Sequence, residues 1–150
     1  MFTEKANCIF CKIVNKEIPA EIIFEDDLIC CFLDIDPINE GHVLIIPKKH
    51  YLDIDELDKE TSTRIMDFSI VMTKVIKNIF KPDGYTIMQN GGIFNDVGHY
   101  HMHIFPRYKE DGFGWKSKDM QKESNLSVLK IKLKDELQIQ LGKGKFIPKL

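Results

Sequence analysis

The stretch Gly98–Arg107, Gly-His-Tyr-His-Met-His-Ile-Phe-Pro-Arg, constrains this chain more than any other. It alternates strictly, with His99, His101, His103 and Phe105 on one register and Tyr100, Met102 and Ile104 on the other. A period of two predicts a β-strand with unlike faces, the apolar register on a core and the histidine register toward a cleft. Three chemistries can use such a row. A single metal ion held by all three rings is one, but the outer rings would stand about 13 Å apart on an extended strand. Zinc–nitrogen bonds are only about 2 Å long, so two adjacent rings could share an ion more easily than three. A central nucleophilic imidazole flanked by helpers along a polyanion is the second. Polar rings facing solvent, or satisfied in a core, are the third. One lone histidine would favour that last reading; three at this spacing favour function.

The rest of the chain predicts the frame for this strand. Cys8–Asn15 reads as a short helix that presents Cys8 and Cys11 to one side. Residues 21–25 read as a strand, Glu25-Asp26-Asp27 as a turn, and 28–34 as a strand apolar on both registers and therefore inside a sheet. A turn-rich loop through Gly41 leads to a strand at 42–46, with His42, Leu44 and Ile46 on one register. Residues 53–58 predict a helical turn and 60–80 a long helix, its stripe drawn through Ile65, Phe68, Met72, Val75 and Ile79, widened by Val71, Ile76 and Phe80. Pro82-Asp83-Gly84 ends it, and 85–89 is a further strand. Strands joined by short turns, with one long helix inserted, predict an α+β domain whose antiparallel sheet carries the helix on the Tyr100, Met102 and Ile104 face. Asp111–Trp115 reads as a mobile loop with exposed aromatics, and 125–140 as a helix.

Composition narrows the class. A chain of 150 residues, 43% hydrophobic and 29% charged, is an ordinary globular domain. A formal charge of −2 provides no global field for nucleic acid or a membrane surface. Lysines near the C-terminus (Lys130, Lys132, Lys134, Lys143, Lys145, Lys149) read as a solvated face and a frayed tail. The start lacks a basic, apolar leader and no apolar run reaches membrane-spanning length, so a cytoplasmic location with reduced thiols is expected. Cys30 and Cys31 then read as small buried hydrophobes.

The triad, the upstream Gly41–His50 run (Gly-His-Val-Leu-Ile-Ile-Pro-Lys-Lys-His), Ile18–Asp27 and Phe32–Ile35 together resemble the histidine triad (HIT) family of nucleotide-binding proteins. The resemblance covers most of residues 8–108. It implies a single HIT domain over 1–150 with a five-stranded sheet, one long helix, a short N-terminal helix and a C-terminal extension at 109–150. It also implies a homodimer. Activity at the α-phosphate of purine nucleotide conjugates is implied, such as adenosine phosphoramidates or dinucleoside polyphosphates.

Site residues follow by position. His101 matches the nucleophile that would form a nucleotidyl-histidine. His103 would stabilise phosphoryl oxygens or assist the leaving group, and His42 would orient the site or else sit satisfied in the core. His99 is a further catalytic candidate. Phe10, Ile13 and Phe32 match base-packing positions, Asp34 a ribose acceptor, and Asn90 a phosphate contact. Asn95 and Asp96 fall in the substrate-binding stretch before the triad. There the chain departs from the family, which usually has a hydroxyl where Asp96 stands. An ionised carboxylate facing phosphate at 4 Å costs about 4 kcal/mol at an effective dielectric near 20. Asp96 therefore acts as an acid, points away, or meets a cationic leaving group or a metal.

Some bacterial members of the family bind zinc at the positions of Cys8, Cys11, His50 and His99. Two thiolates and two imidazoles form a closed tetrahedral donor set of the structural type, whereas Cys-x-x-Cys alone is ambiguous. No organic cofactor is expected. Three functions remain open on these residues: a nucleotide hydrolase or transferase using His101, a nucleotide-binding module with little turnover, and a zinc-dependent hydrolase holding a catalytic metal at His99 or His101.

Overall fold

The computed structural model describes residues 5–116 and 125–143. After a 3-10 turn at Lys5–Asn7 come α1 (Ile9–Val14), β1 (Ile22–Glu25), β2 (Ile29–Leu33) and β3 (Val43–Pro47). A 3-10 turn at Ile54–Glu56 precedes α2 (Lys59–Phe80), followed by β4 (Gly84–Met88), β5 (Met102–Arg107) and α3 (Leu126–Gly142). The strands form one antiparallel sheet in the order β1-β2-β3-β5-β4. The chain divides into two compact units between Phe113 and Gly114. In the second unit α3 has no buried side chain. The predicted tail lysines Lys145 and Lys149 lie outside the described residues. No helix among the described residues is long and apolar enough to cross a membrane.

Strand pleating explains why β2 and β3 are apolar on both registers. Ile29, Cys31, Val43 and Ile45 enter a core under α2 with Tyr100, Met102 and Ile104, against Ile65, Phe68, Met72 and Ile76. Cys30, Phe32, Leu44 and Ile46 enter a second core on the opposite face with Phe10, Cys11 and Ile13 of α1. Cys30 and Cys31 are thus fully buried, one on each face. The histidine register shares the α1 face, because Leu44 of β3 pairs with His103 of β5.

The buried stripe of α2 differs from the predicted one. It runs through Thr61, Ile65, Phe68, Ser69, Met72, Thr73 and Ile76, while Val71, Val75 and Ile79 are exposed. Hydropathy misplaces the stripe because the buried hydroxyls are satisfied within the helix. Ser69 Oγ donates to the Met66 carbonyl at 2.7 Å and Thr73 Oγ1 to that of Ser69 at 2.8 Å. Asp58 caps the helix by accepting from Thr61 N at 2.8 Å. Arg64 ties it to the β1–β2 turn through Asp26 at 2.6 Å.

Two further local departures position the site. The β5 ladder begins at Met102, so His99 and His101 lie in irregular chain just before it. Gly41 precedes His42 with φ +89°, and a side chain there would overlap the Phe80 ring at the end of α2.

Candidate active site

Backbone partners decide which nitrogen of each histidine carries the proton. His101 Nδ1 lies 2.8 Å from the carbonyl of His99. A carbonyl only accepts, so Nδ1 holds a proton and the neutral ring has its lone pair on Nε2. His42 Nδ1 accepts from the Ile38 amide at 3.1 Å. Its Nε2 therefore donates to His103 Nδ1 at 2.9 Å, which leaves the His103 proton on Nε2. This hydrogen-bond relay leaves an N–H donor on His103 beside the His101 ring, with ring centroids 4.7 Å apart.

Burial sets the charge state. His103 is pushed down to about 4, first by burial and then by the positive forms of His101 and His42. Burial also lowers His42, against the opposing pull of Asp34, whose Oδ2 lies 3.5 Å from His42 Nε2 and 3.9 Å from His103 Nδ1. Both rings stay neutral near pH 7.

Two cavities flank this pair. One, of about 330 Å³, is walled by Phe10, Ile13, Phe32 and Leu44, with Asp34, His101 and His103 along its polar side. Phe10 meets Phe32 and His101 edge-on, with centroids 5.5 and 5.3 Å apart. The other, of about 270 Å³, is lined by Asn90, Phe94, Phe105 and Phe113 together with His42 and His103. Asp34, Asp36 and Asp96 border both cavities. Of the residues expected to bind substrate, Phe10, Ile13, Phe32 and Asp34 thus gather at the first cavity, Asn90 at the second, and Asp96 between them.

Asn95 does not join them. Its amide donates to the carbonyls of Leu52 at 2.9 Å and His99 at 3.3 Å, and its oxygen accepts from Val97 and Gly98. With every polar atom used on backbone, Asn95 holds the loop that carries Asp96.

The Asp111–Phe113 segment is also not the free loop its sequence predicts. Asp111 takes a bidentate pair from Arg107 at 2.6 and 2.9 Å and accepts from Asn39 at 3.0 Å. Arg107 holds its carboxyl well below the usual carboxylate range. Phe113 is thereby seated edge-on against Phe105, with centroids 5.3 Å apart, whereas Trp115 is exposed. The alternation places Phe105 on the cleft-facing register, whereas nothing in it singles out Phe113 as a site wall. The Arg107/Asp111 pairing was the one available signal.

On the far side of His99 lies a second cluster. Cys8 Sγ is 3.4 Å and Cys11 Sγ 3.6 Å from His99 Nδ1, and Cys11 Sγ is 3.2 Å from His50 Nδ1. Tetrahedral zinc, with bonds near 2.3 Å to sulfur and 2.0 Å to nitrogen, has sulfur–nitrogen edges of about 3.5 Å, and these donors fit it to about 0.3 Å. His99 Nε2 donates to the Pro47 carbonyl at 2.9 Å, turning the lone pair of Nδ1 toward the sulfurs. Burial and the neighbouring Cys8 push the Cys11 thiol up to about 11; a bound dication would reverse that preference and expel the proton.

Asp34, His42 and His103 are also close enough to share an ion, but their wiring opposes it. Ligation through His42 Nε2 would move the proton to Nδ1, directly opposite the Ile38 N–H donor. An ion there would break the hydrogen-bond chain from Ile38 N–H through His42 to His103.

Comparison with known proteins agrees with this geometry. The HIT domain model matches residues 15–110. The chain is 40% identical over 116 residues to adenosine 5'-monophosphoramidase hnt1 of Schizosaccharomyces pombe, covering 74% of this chain and 84% of that one. The crystal structure of a HIT family protein from Bacillus anthracis superposes with a TM-score of 0.79 at 36% identity, over 88% of this chain and 96% of that one. A zinc-bound histidine triad protein from Mycobacterium smegmatis gives 0.68 at 31% identity, over 77% and 86%. This chain belongs to the HIT family.

The His103 shift generates a stability prediction. Its folded pKa lies below the unfolded value near 6.5, so its contribution is complete above about pH 6.5. Between about pH 6.5 and 4 the unfolded chain binds the proton first and stability falls, by about 3 kcal/mol in all. Urea midpoints measured across that range should fall steeply for the wild type and less steeply for His103→Gln.

Proposed function

We propose that this protein is a nucleotide hydrolase that cleaves purine nucleotide conjugates at the α-phosphate through a nucleotidyl-histidine on His101. The observation that carries this reading is the proton placement. An unprotonated Nε2 and a donating N–H face one cleft between two cavities, one apolar enough for a base. Its relative in Schizosaccharomyces pombe, named an adenosine 5'-monophosphoramidase, supports adenosine conjugates as the substrate class.

The Nε2 lone pair of His101 forms a bond to phosphorus while the bond to the leaving group breaks. The leaving atom takes that electron pair and gains a proton from water in the open cleft. His103 donates to a phosphoryl oxygen as charge accumulates there. The His101 proton stays on Nδ1, donated to the His99 carbonyl, and keeps the ring in the reactive tautomer. Water then adds to phosphorus, the nitrogen–phosphorus bond breaks, the electron pair returns to Nε2, and one proton passes to solvent with release of the nucleoside monophosphate. Asp34 accepts from ribose hydroxyls, Phe10, Ile13 and Phe32 pack the base, and Asn90 contacts phosphate.

A second reading, nucleotide binding with little turnover, is favoured by one observation. The Asp96 carboxylate stands 3.7 Å from His101 Nε2, where it opposes an incoming phosphate. Rapid mixing with adenosine phosphoramidate or diadenosine tetraphosphate, followed by intact mass measurement, separates the two. A nucleotidyl adduct, or released AMP, should appear in the wild type and fall at least about a thousandfold in His101→Ala. Bound nucleotide with neither product would establish the binding reading instead.

Cys8, Cys11, His50 and His99 would hold one structural Zn²⁺, and its chemistry when bound is a cross-link, because four protein donors leave no open position. It would pin α1 to the chain just before β5. Elemental analysis of protein purified without chelator should find about one zinc per chain, with both zinc and melting temperature lowered in Cys11→Ser. Folded wild-type protein without zinc would overturn this.

A second copy of the chain is the proposed occupant of the exposed α2 and β4 surface. Among the described residues β4 is an unpaired sheet edge carrying exposed Tyr85 and Ile87, and Met66 and Ile70 are exposed on the same flank of α2 as Lys77, which stacks over Tyr85. Light scattering should give a dimer mass that Ile87→Lys shifts toward monomer; a wild-type monomer at micromolar concentration would sink the proposal.

A further inference from the structure

We infer that Asp96 makes this site selective for conjugates whose leaving group carries a positive charge, with the second cavity as the subsite for that group. The inference rests on the hydrolase reading above and adds the class of leaving group to it.

Position carries the argument first. Asp96 borders both cavities and its Oδ1 lies 3.7 Å from the nitrogen that would attack phosphorus. With the nucleoside in the apolar cavity, the leaving group must extend from phosphorus away from Phe10 and Phe32, and the second cavity is the space open to it on the far side of His103. Charge comes second. That cavity is bordered by Asp34, Asp36 and Asp96, and no Lys or Arg lines it among the described residues. Arg107 does not offset this charge, since its guanidinium is paired with Asp111. Among the described residues Asp96 pairs with no Lys or Arg, its titratable neighbour being His101. The wall chemistry comes third. Phe94 and Phe105 give the cavity aromatic surface that can meet an organic cation, while the Phe113 ring already carries the Arg107 guanidinium 4.8 Å from its centroid. Phe113 is held there by the Arg107–Asp111 pair. A polyphosphate leaving group would carry its negative charge into this same space. An amine with a second ammonium group a few carbons beyond the scissile nitrogen brings the opposite charge.

The covalent step is the one already described, with a phosphorus–nitrogen bond breaking and the released amine taking up its proton from water. Asp96 transfers nothing in this scheme and acts through charge alone. Its side chain is 85% exposed, so the selectivity should be modest, about three- to tenfold, and sensitive to salt.

The test uses three adenosine phosphoramidates that share the same scissile bond and differ only at the far end of the amine: 1,4-diaminobutane, butylamine and 4-aminobutyrate. The wild type should rank kcat/KM as cationic above neutral above anionic. Asp96→Asn and Asp96→Ser should compress the cationic-to-anionic ratio at least about threefold, whatever happens to the absolute rates. Raising the salt should compress the wild-type ratio and leave that of Asp96→Asn nearly flat. A ratio unchanged by either variant, or no ranking in the wild type, would overturn the inference while leaving the hydrolase reading intact. Cleavage of diadenosine tetraphosphate with none of the three amines released would do the same. Release of AMP from no conjugate at all would overturn both.

Discussion

The hydrogen bond from His101 Nδ1 to the His99 carbonyl is the interaction on which the site depends. It makes Nε2 the only lone pair on the ring and aims it between the cavities. The same residue, His99, turns its own ring the other way, into the cluster with Cys8, Cys11 and His50. One residue therefore joins the two centres. Its carbonyl sets the tautomer of His101, and its imidazole is anchored by α1 and the end of β3. A displacement of α1 would reach His101 through the backbone of His99 and one hydrogen bond.

The two-faced sheet makes this arrangement affordable. Burying apolar residues on both sides of β2 and β3 gives the strands rigid supports, α2 behind and α1 in front. Because α1 is only 6 residues long, it covers part of the front face and leaves the rest to the histidines. His42 and His103 are buried enough to remain neutral there, and each polar atom that burial would strand is given a partner. Among the described residues, no buried side-chain nitrogen or oxygen lacks one.

Asp96 stands apart from this economy. It is exposed and does not belong to the His42–His103 relay, yet it lies beside the nitrogen that the relay and the His99 carbonyl prepare. Asn95 explains its position. By spending its whole amide on four backbone groups, that neighbour fixes the loop and with it the direction from which Asp96 meets the cleft.

The amino-acid sequence by itself determined the element order, the two-sided burial of β2, and the face of β5 that carries His103 and Phe105. These follow from local periodicity, since pleating sends alternate side chains to opposite faces whatever lies around them. It also supplied the donor types that gather at both centres. Tertiary structure decided the rest. Which nitrogen of His101 keeps a lone pair depends on a carbonyl at His99, and which nitrogen of His42 is protonated depends on an amide at Ile38; residue type carries neither fact. The stripe of α2 that is buried was set by Ser69 and Thr73 bonding back to their own helix, against hydropathy. Phe113 became a wall only because Arg107, Asp111 and Asn39 meet around it. The sulfurs of Cys8 and Cys11 meet rings 39 to 91 residues away along the chain, a distance that no local pattern spans and that the sheet closes.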